Sequence, residues 1–405
     1  MARKKRTDNK GYVLRVGEYQ DKSGRYCFRY TDFNKKRHAI YALTLKELRQ
    51  KKEQIEKDKT DKIDSSRGNM TLNQLFLEYL ELKTDLREST RHNYLASWNN
   101  AIRDSDIGKM KISKINKTHI QNFYSNLSKQ GLAANTIKFY HNLICPTLEF
   151  AIETDAIRKN PAKGARKGIG GTKKEKSSIA ISEQEKLLDF VKNNNQYCTY
   201  HPFMIFALST ALRVGELTGL RWSDVDLKEN IIHIRQQLIY RNLGDGCRFH
   251  IQDLKTEAGR RDIPLTVSAR KSLIKQKELS LLLGVKQKKT INGISDFVFL
   301  NSLGNPYATN AINFMLKNIV EAYNKEEQLK AEKESREAKP LPHISAHILR
   351  HTACTRMAES GIDPKTLQYI MGHSSIAVTM DIYNHVDTTR VRNEMEKAEN
   401  IIKYG

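Results

Sequence analysis

Six residues in the second half of the chain could together act on a phosphodiester: Arg213, Lys255, His347, Arg350, His373 and Tyr383. Arg213 stands in Thr210-Ala211-Leu212-Arg213-Val214-Gly215-Glu216, and Lys255 in Leu254-Lys255-Thr256. The others occupy His347-Ile348-Leu349-Arg350, Met371-Gly372-His373 and, ten residues later, Tyr383. Guanidinium groups hold an oxyanion through paired charged hydrogen bonds. A tyrosine hydroxyl can attack such a centre, and histidine and lysine can carry the protons. This chemistry needs no metal ligand set, and no cofactor is expected.

Taken singly, each residue has a structural explanation. Arg213 could form an ordinary pair with Glu216, three residues on along the same helical face. Lys255 could be a solvated lysine, and a lone histidine is more often structural than catalytic. The elements around them make convergence the better reading. Arg213 follows the apolar stretch 203–208, within a helix expected over 202–217, where an unpartnered guanidinium would be costly. Gly259 predicts a hairpin turn between two strands, with Lys255 near its tip. His347 and Arg350 share one face of a helix running from Ser345 to a stop at Gly361. Asp363-Pro364 reads as N-cap and first residue of the next helix. Gly372 closes that helix, and a short one from about Ser375 brings up Tyr383.

The 405 residues suggest two or three domains. Sixty-nine Lys and Arg against 46 Asp and Glu give a net charge of +23, which favours a polyanionic partner such as nucleic acid. A basic surface kept for solubility is the alternative, but the cations cluster in the first forty positions and over 158–176. No apolar run approaches the ~18–20 residues needed to span a bilayer, and Met1-Ala2-Arg3-Lys4-Lys5-Arg6 does not lead into a secretory signal. No membrane association is expected. Five scattered cysteines without zinc spacing point to a reducing, cytoplasmic setting.

Along the chain, three short strands are expected at 12–16, 25–31 and 37–42, then a helix over 45–57. In the middle strand Tyr26, Phe28 and Tyr30 alternate with Arg25, Cys27 and Arg29, so one face packs on the helix while the other presents arginines. That face could read a major groove or merely face water. Helical periodicity resumes from Met70, with further helices over 89–102, 119–128 and 136–153 and Asn135 as an N-cap. A glycine-containing basic stretch over 163–178 predicts a flexible linker that could track phosphates. Its Gly-Ile-Gly-Gly-Thr-Lys run lacks phosphate-loop spacing. Ser182 and Glu185 form a capping box opening the last domain, and the charged segment 324–339 is expected to be an exposed helical or loose insertion. The division is therefore 1–62, 70–162, a linker 163–178, and 179–405. The candidate DNA contacts are Arg15, Arg25, Arg29 and Arg37 in the sheet, with Arg166 and Lys167 in the linker.

The ordered boxes Arg213-Val214-Gly215-Glu216-Leu217, His347-x-x-Arg350-His351 and Leu367 to Ile376 ending in Tyr383-Asn384-His385 resemble the signature of the tyrosine recombinases, or phage integrase family. Lys255-Thr256-x-x-Gly259-x-Arg261-x-Ile263-Pro264 resembles the family's lysine motif. The small basic sheet is similar to the arm-binding domain of integrases from Gram-positive conjugative transposons.

The resemblance implies an α+β, mainly α fold. It has a three-stranded arm-binding sheet domain, a helical core-binding domain and a mixed α/β catalytic domain, the last two clamping duplex DNA. It implies a site-specific recombinase that integrates and excises a mobile element through a 3′-phosphotyrosine on Tyr383. Arg213 and Arg350 would bind the non-bridging oxygens, Lys255 would protonate the leaving 5′-oxygen, and His347 would act as base. His373 would hydrogen-bond the phosphate, and Glu216 would support Arg213. The implied partners are core and arm sites on double-stranded DNA, a homotetramer on DNA, an excisionase and DNA-bending proteins. The amphipathic tail with Val391, Met395, Ala398, Ile401 and Ile402 would dock on a neighbouring protomer. A type IB topoisomerase shares the tyrosine chemistry, and a non-catalytic DNA-binding regulator fits the charge. A metal-dependent nuclease is not favoured, because no carboxylate cluster supports it.

Overall fold

The computed structural model describes residues 6–31, 37–60, 67–168, 178–242, 246–254, 256–288, 290–383, 395, 396 and 399, without the side chains of 54, 58 and 59. The chain divides into two compact units, 1–173 and 174–405. Lys255, much of the basic stretch, and the tail residues Val391, Ala398, Ile401 and Ile402 lie outside the described residues.

The first unit opens with antiparallel strands β1 (Glu18–Gln20), β2 (Tyr26–Thr31) and β3 (Arg37–Ala42) in that order, followed by α1 (Leu45–Thr60). Leu48 of α1 is fully buried and packs with Tyr26 and Ala42. The first strand begins later than expected. The Asp8 carboxylate accepts the N–H groups of Lys10 and Tyr12, turning that segment before it can extend. Pairing of Arg29 with Ala39, Thr31 with Arg37 and Cys27 with Tyr41 places Arg29, Arg37 and Tyr41 on one face, away from Tyr26. Arg25 lies over the Tyr41 ring at 5.6 Å and Arg29 over Tyr19 at 5.0 Å. Cys27 shares this outer face but is buried, with Tyr19 and Tyr41 as its cross-strand neighbours. Arg15 does not join them; it lines a groove with Tyr26, Lys46 and Arg49.

Helices α2 (Leu72–Leu82), α3 (Glu88–Ala101), α4 (Asp106–Lys109), α5 (Lys117–Lys129) and α6 (Ala134–Glu153) follow. Thr71 and Gln74 make a reciprocal capping box at the start of α2. Phe76 stacks on Trp98 with ring centroids 3.7 Å apart, and the indole N–H donates to Asn73 Oδ1 at 2.8 Å. α6 starts just before Asn135, with Ala133 at the cap. Residues 163–168, expected as the start of an open linker, form turns instead. Ala162 and Ala165 are fully buried against the helical core, and Lys163 pairs with Glu149. Arg166 is half-buried there and Lys167 exposed.

The second unit begins with α7 (Ile181–Asn193), capped at Ala180, two residues ahead of the expected Ser182. Here Glu183 accepts the Ala180 N–H. Then come α8 (His201–Thr210) and α9 (Val214–Thr218). Strands β4 (Val225–Asp226), β5 (Ile231–Ile234), β6 (Gln236–Asn242), β7 (Cys247–Asp253) and β8 (Arg261–Pro264) form two small sheets, β4-β5-β8 and β6-β7. Helices α10 (Val267–Leu282), α11 (Thr309–Lys333), α12 (Ala346–Glu359), α13 (Pro364–Met371) and α14 (Ile376–Tyr383) complete it. Phe203, Phe206, Phe299, Ile312, Leu316 and Leu349 are among its core. Of the two forms expected for the charged segment at 324–339, the helical one is present as far as Lys333. It extends α11, with Ala331 buried and Arg336 paired to Glu327. Among the described residues no helix is long and apolar enough to cross a membrane.

Candidate active site

Arg213 does not sit within one long helix. Ala211 adopts a left-handed backbone, φ +51°, which ends α8 and frees the chain to start α9 at Val214. An alanine in that region is strained by roughly 1–2 kcal/mol, and Arg350 meets the resulting end: its Nη1 donates to the Ala211 carbonyl at 2.6 Å. Arg213 is therefore the cap residue of α9. The Glu216 carboxylate accepts both its backbone N–H at 3.0 Å and its Nη1 at 2.8 Å. The expected pair is present, in capping rather than mid-helical geometry.

The C-terminus of α13 supplies the other half of the frame. A helix leaves its last carbonyls without internal partners and carries partial negative charge there. Three arginines take three consecutive carbonyls, each at 2.7 Å: Arg261 Nε donates to Ile370, Arg350 Nη2 to Met371, and Arg213 Nη2 to Gly372. Gly372 turns the chain with φ +60°. A Cβ there would stand 2.9 Å from Arg261 Nη1, 3.1 Å from the Ala258 carbonyl and 3.2 Å from Arg213 Nη1, so any side chain would crowd this crossing.

His373 follows directly. Its Nε2 lies 3.2 Å from Arg350 Nη2, and its Nδ1 lies 3.0 Å from the hydroxyl of Thr379, a buried residue of α14. Arginine has no acceptor atom, so Nε2 receives and Nδ1 carries the proton. Burial first, then the charges of Arg350, Arg213 and Arg261, push His373 down to about 4. Burial and then the Arg213 charge push Arg350 down to about 9. Burial alone would raise Glu216, but hydrogen bonding and charge from Arg261, with Arg213, hold it below the ordinary carboxylate range. The cluster is thus a preorganised cationic site that an incoming anion would relieve.

Arg213, His347, Arg350, His373 and Ser374 line one open cavity of about 450 Å³, with Val214, Ala346 and Val378. His347 is exposed on the first turn of α12, which Ser345 caps through Ile348 N–H as expected. Tyr383 is not among the lining residues. It is buried with Ala353, Cys354, Ala358, Leu367 and Met371, and its hydroxyl donates to the Ile362 carbonyl.

The surroundings of Lys255 differ from a hairpin tip. β7 pairs with β6 and β8 with β5, so 254–260 is a crossover between sheets, closed by a 3-10 turn at Glu257–Gly259. Gly259 is needed for closeness: a Cβ there would meet Leu254 Cβ at 3.0 Å.

With this geometry in place, residues 178–390 match the phage integrase family, over more than half of the chain. The chain belongs to the phage integrase family. It is a tyrosine recombinase with the α+β, mainly α fold of that family. Residues 71–128 match the N-terminal SAM-like domain of phage integrases, and residues 2–59 the DNA binding domain of Tn916 integrase. The chain is 32% identical to the transposase from transposon Tn916 of Enterococcus faecalis, covering 97% of this chain and 96% of that one. It is equally similar to the transposase from transposon Tn1545 of Streptococcus pneumoniae, over the same shares. A solved structure of Tn1549 transposon integrase, residues 82–397 in complex with a circular intermediate DNA, superposes with a TM-score of 0.72. It is 27% identical and covers 81% of this chain and 99% of that one.

In the sequence Arg261 stands out only as part of the lysine motif. Its full burial and its contacts with Glu216 and Ile370 join residues 45 and 109 positions apart, a relation no local pattern carries. Thr379 likewise had no signal beyond its position one turn before Tyr383.

Proposed function

We propose that the protein is the recombinase of a mobile element, cutting and rejoining duplex DNA to integrate and excise that element. The carrying observation is the convergence of two guanidiniums and two imidazoles on one open cavity, with a tyrosine on the next helix. Arg213 and Arg350 would take the two non-bridging oxygens of the scissile phosphate, with His373 beside them. The Tyr383 oxygen forms the bond to phosphorus while the bond to the 5′-oxygen breaks. His347 accepts the phenolic proton and Lys255 delivers one to the departing 5′-oxygen. The product is a 3′-phosphotyrosine and a free 5′-hydroxyl, and reversal with a second 5′-hydroxyl rejoins the strand. Bond energy is conserved, so no nucleotide is consumed.

Duplex DNA is the substrate, and the circular intermediate bound by the Tn1549 integrase supports a joined-end form as one version of it. The chain is proposed to comprise an arm-binding part (1–62), a core-binding part (70–162), a basic connector (163–178) and the catalytic part (179–405). The arm contacts fall to Arg25, Arg29 and Arg37 on the outer sheet face. Arg15 is assigned to DNA contact from the opposite groove, and Arg166 with Lys167 to contact from the basic connector. A homotetramer on DNA, with an excisionase and DNA-bending proteins, completes the proposal.

The test is a plasmid carrying two recombining ends, incubated with the protein in EDTA and without ATP. Formation of a joined circle with transient protein–DNA adducts is expected. Relaxation of any supercoiled plasmid without exchange would instead mark a topoisomerase, and binding without adducts a regulator.

A further inference from the structure

Arg261 opens β8 and has no exposed side-chain surface. Its guanidinium reaches four acceptors on three separate segments. Nη2 donates to Glu216 Oε2 at 2.9 Å, Nη1 to Glu216 Oε1 at 3.3 Å and to the Gly259 carbonyl at 2.9 Å, and Nε to the Ile370 carbonyl at 2.7 Å. It lines neither the cavity nor any surface a phosphate could touch.

A buried ion pair is weak grounds for stability, because well-packed apolar residues serve that end as well or better. What this pair does is geometric. Glu216 is the acceptor that holds Arg213, through the same Oε1 that Arg261 engages. Ile370 begins the turn whose next two carbonyls hold Arg350 and Arg213 and which then delivers His373. A fork of rigid, planar donors can hold both elements in one register; an ammonium on a flexible stem cannot.

We propose that Arg261 is a positioning residue for strand cleavage, setting the Arg213 guanidinium through Glu216 and the 370–372 turn without touching DNA. The proposal rests on the cavity being the cleavage site. It assigns to the second motif, besides its lysine, an arginine that aligns the anion clamp.

The test uses the full-length chain and nicked suicide duplexes carrying either a normal phosphodiester or a methylphosphonate at the scissile position. The methylphosphonate has lost the negative charge that Arg213 would neutralise. Arg261→Lys keeps the charge beside Glu216 but cannot reach all four acceptors. Its thermal midpoint and DNA affinity should stay near the parent's. Its phosphodiester cleavage should fall by about 100-fold, the scale of an ångström-sized misplacement, and its methylphosphonate cleavage should stay near the parent's.

Equal losses on the two substrates, no loss at all, or a loss that follows weaker binding or melting would overturn the proposal. Should Arg261→Lys fail to fold, the neutral pair Glu216→Gln with Arg261→Met carries the same comparison. Arg213→Ala is the control and should show the same substrate split. If Arg213→Ala cleaves the phosphodiester at the parent's rate, the reading of the cavity fails and the positioning role with it. If only Arg261→Lys does so, the positioning role alone is lost.

Discussion

The Tyr383 hydroxyl donates to the carbonyl of Ile362, the residue that links α12 to the cap of α13. It is held among Cys354, Leu367 and Met371 while the arginines and histidines line the cavity. On the proposed mechanism, the Tyr383 hydroxyl must leave this contact before cleavage. Tyr383→Phe should bind duplex DNA as the parent does and yield no covalent adduct on a nicked suicide substrate. It should also lose about 1 kcal/mol of stability in urea unfolding, the usual worth of one intramolecular hydrogen bond. An adduct that persists in this variant would remove Tyr383 from the role of nucleophile.

Gly372 offers a sharper test of the clamp, because a single methyl group would meet Arg261 and Arg213 together. Gly372→Ala also forces an L-residue into the left-handed region at φ +60°. The expected destabilisation is about 1–2 kcal/mol from the backbone, with cleavage slowed by about 100-fold as Arg213 shifts. Single-turnover cleavage and denaturant titration of the same preparation measure both. A variant that loses stability but cleaves normally would show that the clamp tolerates the displacement.

Glu216 is almost wholly buried between Arg213 and Arg261. Glu216→Ala leaves Arg261 without its countercharge, and loss of one member of a buried pair costs about 3–5 kcal/mol. The folded-state pKa is depressed, so the carboxylate's contribution is fully present above the unfolded value and is lost as pH falls through the folded one. The parent should thus lose stability on acidification below the ordinary glutamate range. Glu216→Gln should start less stable and lose less over that interval. Parallel acid-unfolding curves for the two proteins would contradict the assignment.

Local chemistry made much of this site readable in advance. Ser345 at a helix start, Asp363-Pro364 at the next, Gly372 at a C-terminus and Glu216 three residues from Arg213 are short-range signals, and each appears as expected. What escaped was long-range or contrary to propensity. Alanine favours helix, so nothing at Ala211 announced the left-handed break that makes Arg213 a cap. Gly259 signalled a turn, but which strands flank it depends on pairing across the sheets, where β7 and β8 take different partners. The arginine–carbonyl contacts span 109, 21 and 159 positions, and only the fold can show that three arginines share one helix end.

His373 yields the last prediction. With its pKa near 4, the ring is neutral throughout the neutral range, donating from Nδ1 to Thr379 and accepting from Arg350. The unfolded imidazole titrates near its ordinary ~6.5. Between these values the unfolded chain takes up a proton that the folded one refuses, so stability should rise with pH from about 4 to about 6.5. Among the charges around the ring, Arg350, Arg213 and Arg261 add to the lowering that burial begins, and the Glu216 carboxylate opposes it; the Thr379 hydroxyl is neutral. Urea unfolding across this range should show the slope in the parent and a shallower one in His373→Gln. Binding a scissile phosphate brings a negative charge against Nε2 and should raise the pKa, which ring-carbon NMR shifts of labelled histidine would report with and without cognate duplex. A His373 that titrates near 6.5 in the free protein would mean that the ring is neither buried nor crowded by the arginines as the geometry requires.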